Sequence, residues 1–211
     1  GQATSSLVQR GYTKITCVEL GANLARLAEE KFKGYPQLRV VNSSFEEWEG
    51  KNASFDLAIS ATAFHFIEPQ YGYKKVSALL KPLGTIGFFW TVHVQQDDEL
   101  HSRIRHVYEC YAPQLNDAKK AGPEDVIKER LHLTKNQGLF DNVTVKRYFW
   151  IDTYTSRDYI ALLNTHSGHR QLPQGDRSRL FASIKEIIDV YGGFIDKQQM
   201  VALFLGQKSR R

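Results

Sequence analysis

The feature that most restricts this chain is a rhythm. Short runs of β-branched and apolar residues alternate with segments of helical spacing through roughly its first 90 residues. The first run is Lys14-Ile15-Thr16-Cys17-Val18-Glu19-Leu20, with Gly21 just beyond it. A run this short and this apolar, followed by a helix signal, reads as a buried strand of a parallel sheet. Asn23 is placed to cap a helix to about Phe32, with Leu24, Leu27, Ala28 and Phe32 on one face. Leu38–Val41 and Phe55–Ser60 read as further strands, and a helix is expected from about Tyr71 to Leu80. Lys81-Pro82-Leu83-Gly84 then reads as a turn launching a strand from Thr85 to Trp90. Ahead of the first strand, Ser5–Gly11 reads as a short helix with Thr4 or Ser5 as its cap and Gly11 as its stop. Strand and helix in alternation mean a parallel α/β sheet with right-handed crossovers.

Beyond Trp90 the pattern is less regular. Helices are expected over Asp97 to about Tyr111, over Glu124–His132 after the interruption at Pro113, from a Ser156 cap to about Asn164, and over Gln174–Tyr191. Asn142–Asp152 alternates through Val143, Val145, Tyr148 and Trp150 and reads as a strand; Gln199–Leu205 reads as the closing one. At 211 residues the chain is read as a single domain, 1–211.

Composition narrows the partners. The formal charge is +5, and the basic residues are scattered: Lys74-Lys75, Lys119-Lys120, then Lys208, Arg210 and Arg211. No stripe of Arg and Lys interleaved with aromatics occurs, so nucleic-acid binding is not favoured. Cys17 and Cys110 stand far apart with no CxxC, a pattern of a reducing compartment, and the cytoplasm is expected. No apolar run approaches the ~20 residues of a membrane span, and no signal peptide opens the chain. The sole methionine is Met200, so translation is expected to begin upstream of Gly1. The oligomeric state is not readable.

Several side chains are candidates for chemistry. An acid at the carboxyl end of a strand in a doubly wound sheet can hold a nucleotide ribose, its carboxylate accepting from two hydroxyls at once. Glu19 stands there. His65 follows the Phe55–Ser60 strand, at the edge where open α/β sheets place ligands, and histidine is a residue type suited to acid–base or hydrogen-bonding work. The alternative is a histidine packed between Phe64 and Phe66. His93, just past Trp90, has a similar position. The stretch from Tyr154 to His169 mixes polar and aromatic groups, which suits either a small organic ligand or an ordinary amphipathic helix end. Asp97, Asp98, His101 and His106 read as solvated, and no metal is expected.

These residues carry a resemblance to class I S-adenosylmethionine-dependent methyltransferases. Gly1-Gln2-Ala3-Thr4 resembles the tail of their glycine-rich loop, Glu19 their ribose-binding acid, and Ser43-Ser44-Phe45-Glu46 their adenine-flanking loop. Phe55–Ser60 with Phe64-His65-Phe66 is similar to their fourth strand and the loop after it, and Leu79–Thr85 to their LLKPGG turn. Residues 154–173 resemble small-molecule members of type 11. The resemblance implies a Rossmann-like doubly wound mixed sheet with a terminal antiparallel hairpin, S-adenosylmethionine as cofactor, and methyl transfer to a small-molecule acceptor. It implies donor contacts at Gly1, Gln2, Glu19, Leu20, Ser44, Phe45 and Ser60, and an acceptor pocket of Phe64, Trp90, Tyr154 and His169. His65 would be the first candidate for general base and His93 the second, with helical segments 97–137 and 155–192 covering the acceptor site. Leu83 departs from the family's double glycine, and the family's first strand has no counterpart in this sequence. The alternatives are a non-catalytic methyltransferase-like binding domain and an NAD(P)-dependent oxidoreductase.

Overall fold

A computed structural model describes residues 1–12, 14–116 and 122–210; the Lys119-Lys120 pair and Arg211 lie outside them, as does the side chain of His93. The chain divides into two compact units. The first comprises Gly1–Trp90, Leu133–Thr144 and Phe204–Arg211; the second comprises Thr91–His132 and Val145–Leu203.

In the first unit the expected alternation is present as α1 (Gln2–Gln9), β1 (Ile15–Glu19), α2 (Ala22–Phe32), β2 (Leu38–Asn42), β3 (Phe55–Ala61), α3 (Pro69–Leu79) and β4 (Leu80–His93). β1 and β2 pair in parallel from Ile15↔Leu38 to Glu19↔Asn42. β3 and β4 pair in parallel from Leu57↔Thr85 to Ala61↔Phe89. Their neighbours are β6 (Phe194–Lys208) and β5 (Phe140–Thr155), in the sheet order β3-β4-β6-β5. β5 and β6 run antiparallel, the hairpin expected at the end of the fold. Ser209 N–H bonds Leu139 C=O at one end, and Ser156 N–H bonds Gly193 C=O at the other.

The single doubly wound sheet of the sequence reading is thus a mixed four-stranded sheet plus a separate β1–β2 pair. β1 and β3 each keep one edge that no described strand occupies. This explains why these strands are less buried than their composition implies. A parallel strand is covered when it has neighbours on both sides and helices on both faces. β1 is half-buried throughout, and Leu57 and Ile59 of β3 are 40% and 37% exposed.

The core of this unit is aromatic. Phe88 lies 4.3 Å from the Phe64 ring and 6.0 Å from Tyr73, and Trp90 packs edge-on against Phe204 at 5.3 Å. Gly72 lets α3 approach the 64–67 loop: a Cβ there would meet Phe64 and Ile67 at 2.9 Å. Glu68 accepts from Gln70 N–H and Tyr71 N–H, with Pro69 opening α3, which fixes where that helix starts.

Three local expectations are corrected. α1 and α2 begin at Gly1 and Gly21 without side-chain caps, whereas Ser5 bonds back to Gly1 C=O and Asn23 lies inside α2. Lys81–Gly84 is not a turn before a strand but a bulge within β4, where the register slips between Phe55 and Leu57 and Leu83 sits at φ 62°. α6 (Ser156–Leu163) is capped by Thr155, not Ser156.

The second unit is built from α4 (Glu99–Tyr111), α6, α7 (Ser167–Arg170) and α8 (Gln174–Val190), with α5 (Pro123–Lys135) beginning in it. Leu180, Ile184 and Ile188 of α8 are fully buried against Ile104, Tyr159 and Leu163. Asp98 caps α4, accepting from His101 N–H at 2.9 Å and pairing with His101 Nδ1 at 2.8 Å. Burial works to raise the Asp98 carboxyl, but the His101 bonds and the nearby Arg105 charge hold it below its usual value. A depressed native value contributes stability that is present above the unfolded value, about 4, and is lost as pH falls through the native one. Asp98→Ala is therefore expected to cost about 1 kcal/mol at pH 7. Urea unfolding checks this; the difference from wild type should shrink towards pH ~3.

Candidate functional site

The carboxyl ends of β1 and β2 meet in a built loop. Asn42, the last residue of β2, donates Nδ2–H to the carbonyls of Glu19 at 2.9 Å and Leu20 at 3.0 Å. Ser43 N–H adds a second bond to Glu19 C=O, at 3.1 Å. Glu19 Oε1 accepts Gly21 N–H at 2.9 Å, and no bond to Oε2 occurs among the described residues. The carboxylate is therefore held at one oxygen, half-buried, at the start of α2. Leu20 beside it is 74% exposed.

The next loop is shaped by Ser44. Its hydroxyl accepts Glu47 N–H and donates to Glu47 Oε2, a reciprocal cap that turns the chain. Phe45 is half-buried, packs at 6.2 Å against Trp48, and carries Lys75 Nζ 5.1 Å over its ring. Gly1 and Gln2 open α1, are exposed, and lie beside α2: a Cβ on Gly1 would meet the Phe32 ring at 3.1 Å. Thr4 Oγ1 lies 3.5 Å from Cys17 Sγ, which ties α1 to β1. Ser60 is half-buried in β3, opposite Phe88 of β4.

At the carboxyl end of β3 the chain passes through Thr62 at φ 51° and a short 3-10 turn, Phe64–Phe66. The three aromatic residues divide sharply. Phe64 is 6% exposed and Trp90 3%, so both support the loop from beneath and neither lines a surface. Phe66 is 81% exposed. His65 lies over it, ring centroids 4.1 Å apart. Trp90 Nε1–H donates to His65 Nδ1 at 3.2 Å. An indole nitrogen is donor only, so in the neutral imidazole the proton is on Nε2. His65 in this state offers a donor, not a base, at Nε2.

The remaining candidates belong to the second unit. His93 is the last residue of β4. Tyr154 packs 6.2 Å from Tyr159, and its phenol is raised by burial and by the neighbouring Asp152. His169 is 7% exposed and shares a 2.7 Å bond between Nε2 and the Tyr108 hydroxyl. The acidic and histidine side chains near α4 are paired locally: Asp97 with Arg105, His101 with Asp98 and His106 with Glu109. No cluster that could hold a metal ion occurs among the described residues.

A family profile described as a methyltransferase domain matches residues 1–84, which contain the β1–β2 loop and the 64–66 turn. An uncharacterised methyltransferase of Schizosaccharomyces pombe is 22% identical over 89% of this chain and 70% of its own. Among solved structures, a protein of Anaeromyxobacter dehalogenans assigned as a type II methyltransferase superposes with a TM-score of 0.67 at 17% identity, covering 98% of this chain and 85% of its own. The chain has the fold of class I S-adenosylmethionine-dependent methyltransferases, and its first 84 residues match a methyltransferase domain. Another relative in fold is phosphoethanolamine N-methyltransferase 2 of Haemonchus contortus, solved with phosphomonomethylethanolamine and S-adenosylhomocysteine. It matches all of this chain and 47% of its own, with a TM-score of 0.53 and 14% identity.

At the β1–β2 loop two residues matter that the sequence reading passed over. Asn42 fixes the backbone behind Glu19; the signal available was an Asn directly after an apolar strand. Gly21 supplies the N–H that holds Glu19, and a Cβ there would come within 3.3 Å of Oε1. No helix among the described residues is long and apolar enough to cross a membrane.

Proposed function

We propose that the chain transfers the methyl group of S-adenosylmethionine to a small-molecule acceptor, with the donor bound across the carboxyl ends of β1 and β2. The observation that carries this reading is Glu19, anchored at Oε1 by Gly21 while Oε2 makes no bond among the described residues. A carboxylate in that state accepts from the vicinal hydroxyls of a ribose. The exposed N–H groups at the start of α1 and the permissive Gly1 suit the donor's methionine carboxylate. Phe45 and Ser44 border the adenine side. Methyl transfer from a sulfonium needs in-line placement of two reactants and exclusion of water; the protein supplies positioning.

On the acceptor side, His65 donates from Nε2 and Phe66 offers an exposed ring. His65 then orients an acceptor lone pair and does not abstract a proton. Trp90→Phe removes the indole donor while keeping most of the packing, so Nδ1 loses its anchor. This variant is expected to lower kcat about tenfold with S-adenosylhomocysteine affinity unchanged. An equal fall in donor affinity would detach His65 from the acceptor side.

The test of the acceptor class uses methyl-labelled S-adenosylmethionine in a cell extract from which the chain's own background is subtracted. Label is expected in the low-molecular-mass fraction. Label confined to protein or nucleic acid would overturn the small-molecule reading.

A further inference from the structure

The outer strand of the four-stranded sheet is bare in a way a covered strand is not. β5 is terminal in the order β3-β4-β6-β5, and no described strand lies beyond it. Every residue from Lys146 to Ile151 is exposed. Tyr148 is 50% exposed, Phe149 67%, Trp150 42% and Ile151 59%. Successive strand residues point to opposite faces, so both faces are open here as well as the edge. Between Phe140 and Thr155 there is no proline or glycine to discourage pairing. A long apolar edge of this kind is a template for another strand.

The main-chain groups are already aimed. Ser156 N–H bonds Gly193 C=O where β5 meets β6. The Ser209–Leu139 bond at the other end has the opposite parity, so β5 carries one extra residue, a bulge that fits Asn142 at φ 53°. Beyond it the antiparallel alternation turns even-numbered residues towards β6 and the N–H and C=O groups of Arg147, Phe149 and Ile151 outwards. Thr153, bonded through its side chain to Asp196, fits this phase, because side chains lie closest at the pairs without main-chain bonds.

We infer that this edge pairs antiparallel with the same edge of a second copy of the chain, about a two-fold axis at Phe149. The side chains choose the occupant and the register. With Phe149 on the axis, Tyr148 meets Trp150 of the second copy, and Lys146 meets its Asp152. All four lie on one face of the strand, and the pattern is its own complement. Asp152 is already set on that face, its Oδ2 accepting from Trp150 Nε1 at 3.1 Å and Gln199 Nε2 at 3.2 Å. Lys146 makes no ion pair among the described residues, whereas the charge of Arg147 is met within its own chain by both oxygens of Glu124. A shift of the axis by one residue pair, or parallel pairing, sets Lys146 against an apolar residue or against itself. Opposite charges and aromatic pairs across a ladder stabilise it, and like charges oppose it.

The contact is one ribbon of strand, smaller than a standard interface, so association is concentration-dependent, with a dissociation constant on the order of 10 µM. Sedimentation of the 211-residue chain is expected to show its mass doubling between about 1 and 200 µM. Phe149→Lys sets two ammonium groups face to face on the axis at a residue whose exposure leaves the fold intact. It is expected to stay monomeric throughout, with unchanged circular dichroism and melting. Lys146→Asp is expected to weaken the dimer roughly tenfold at low salt and less at high salt. A wild-type chain that stays monomeric overturns the inference. So does a dimer that survives Phe149→Lys, since pairing would then use another surface such as the open edge of β3.

Discussion

Replacing Glu19 with alanine is expected to weaken S-adenosylhomocysteine binding by roughly tenfold to a hundredfold, because hydrogen bonds to a charged acceptor contribute about 1.5–3 kcal/mol. The effect is large for a single side chain because, in the proposed donor site, both ribose hydroxyls turn to one carboxylate. Glu19→Gln keeps one carbonyl oxygen and should fall between the two. Glu19→Ala also removes the acceptor of Gly21 N–H at the start of α2. A loss of stability of about 1 kcal/mol is therefore expected beside the loss of affinity. Calorimetric titration of both variants, with melting curves alongside, separates these contributions. Unchanged affinity in Glu19→Ala would remove the ribose from this position.

Phe88→Ala is expected to destabilise the chain by about 3–5 kcal/mol, measured by urea unfolding. Phe88 is 1% exposed and stands at the centre of the aromatic cluster, between Phe64 of the 64–66 turn and Tyr73 of α3. Its removal leaves a cavity beneath the loop that carries His65. The chain should therefore lose activity at temperatures where it is still folded. Phe88→Leu, which keeps more of the volume, should cost less on both counts. A cost below about 1 kcal/mol for Phe88→Ala would mean that the loop rests on something other than this ring stack.

The strands of the first unit were legible because their apolar runs are short and bounded. β1, β2 and β3 begin and end within a residue or two of where the sequence places them. The helix starts were less legible for a physical reason. Gly1 and Gly21 sit at the caps, and cap rules look for a side-chain oxygen that glycine lacks. Asn23 and Ser5 carry the expected oxygen one or more residues too late. The bulge at Lys81–Gly84 was read as a turn because Pro and Gly mark both, and only the pairing register tells them apart.

At the site, Glu19 and the 43–45 loop are neighbours through Asn42, a contact between residues 23 apart in sequence that no local pattern reveals. The Trp90–His65 bond likewise spans 25 residues and follows from β3 and β4 lying side by side, with Ala61 opposite Phe89. Phe64 and Trp90 were expected to line a pocket, yet both are buried under the turn. Aromatic residues bury more area than any others, and these two serve the core that holds His65 in place. The split of the sheet leaves β1 and β3 each with an edge that no described strand occupies.

The proposed donor site lies across the ends of β1 and β2. Backbone amide spectra of the 211-residue chain, recorded with increasing S-adenosylhomocysteine, test it most directly. The largest shifts are predicted at Gln2–Thr4, at Leu20–Asn23 and at Ser43–Phe45, with the same signals silent towards NAD. Shifts confined to other parts of the chain, or no response to S-adenosylhomocysteine at saturating concentration, would contradict it.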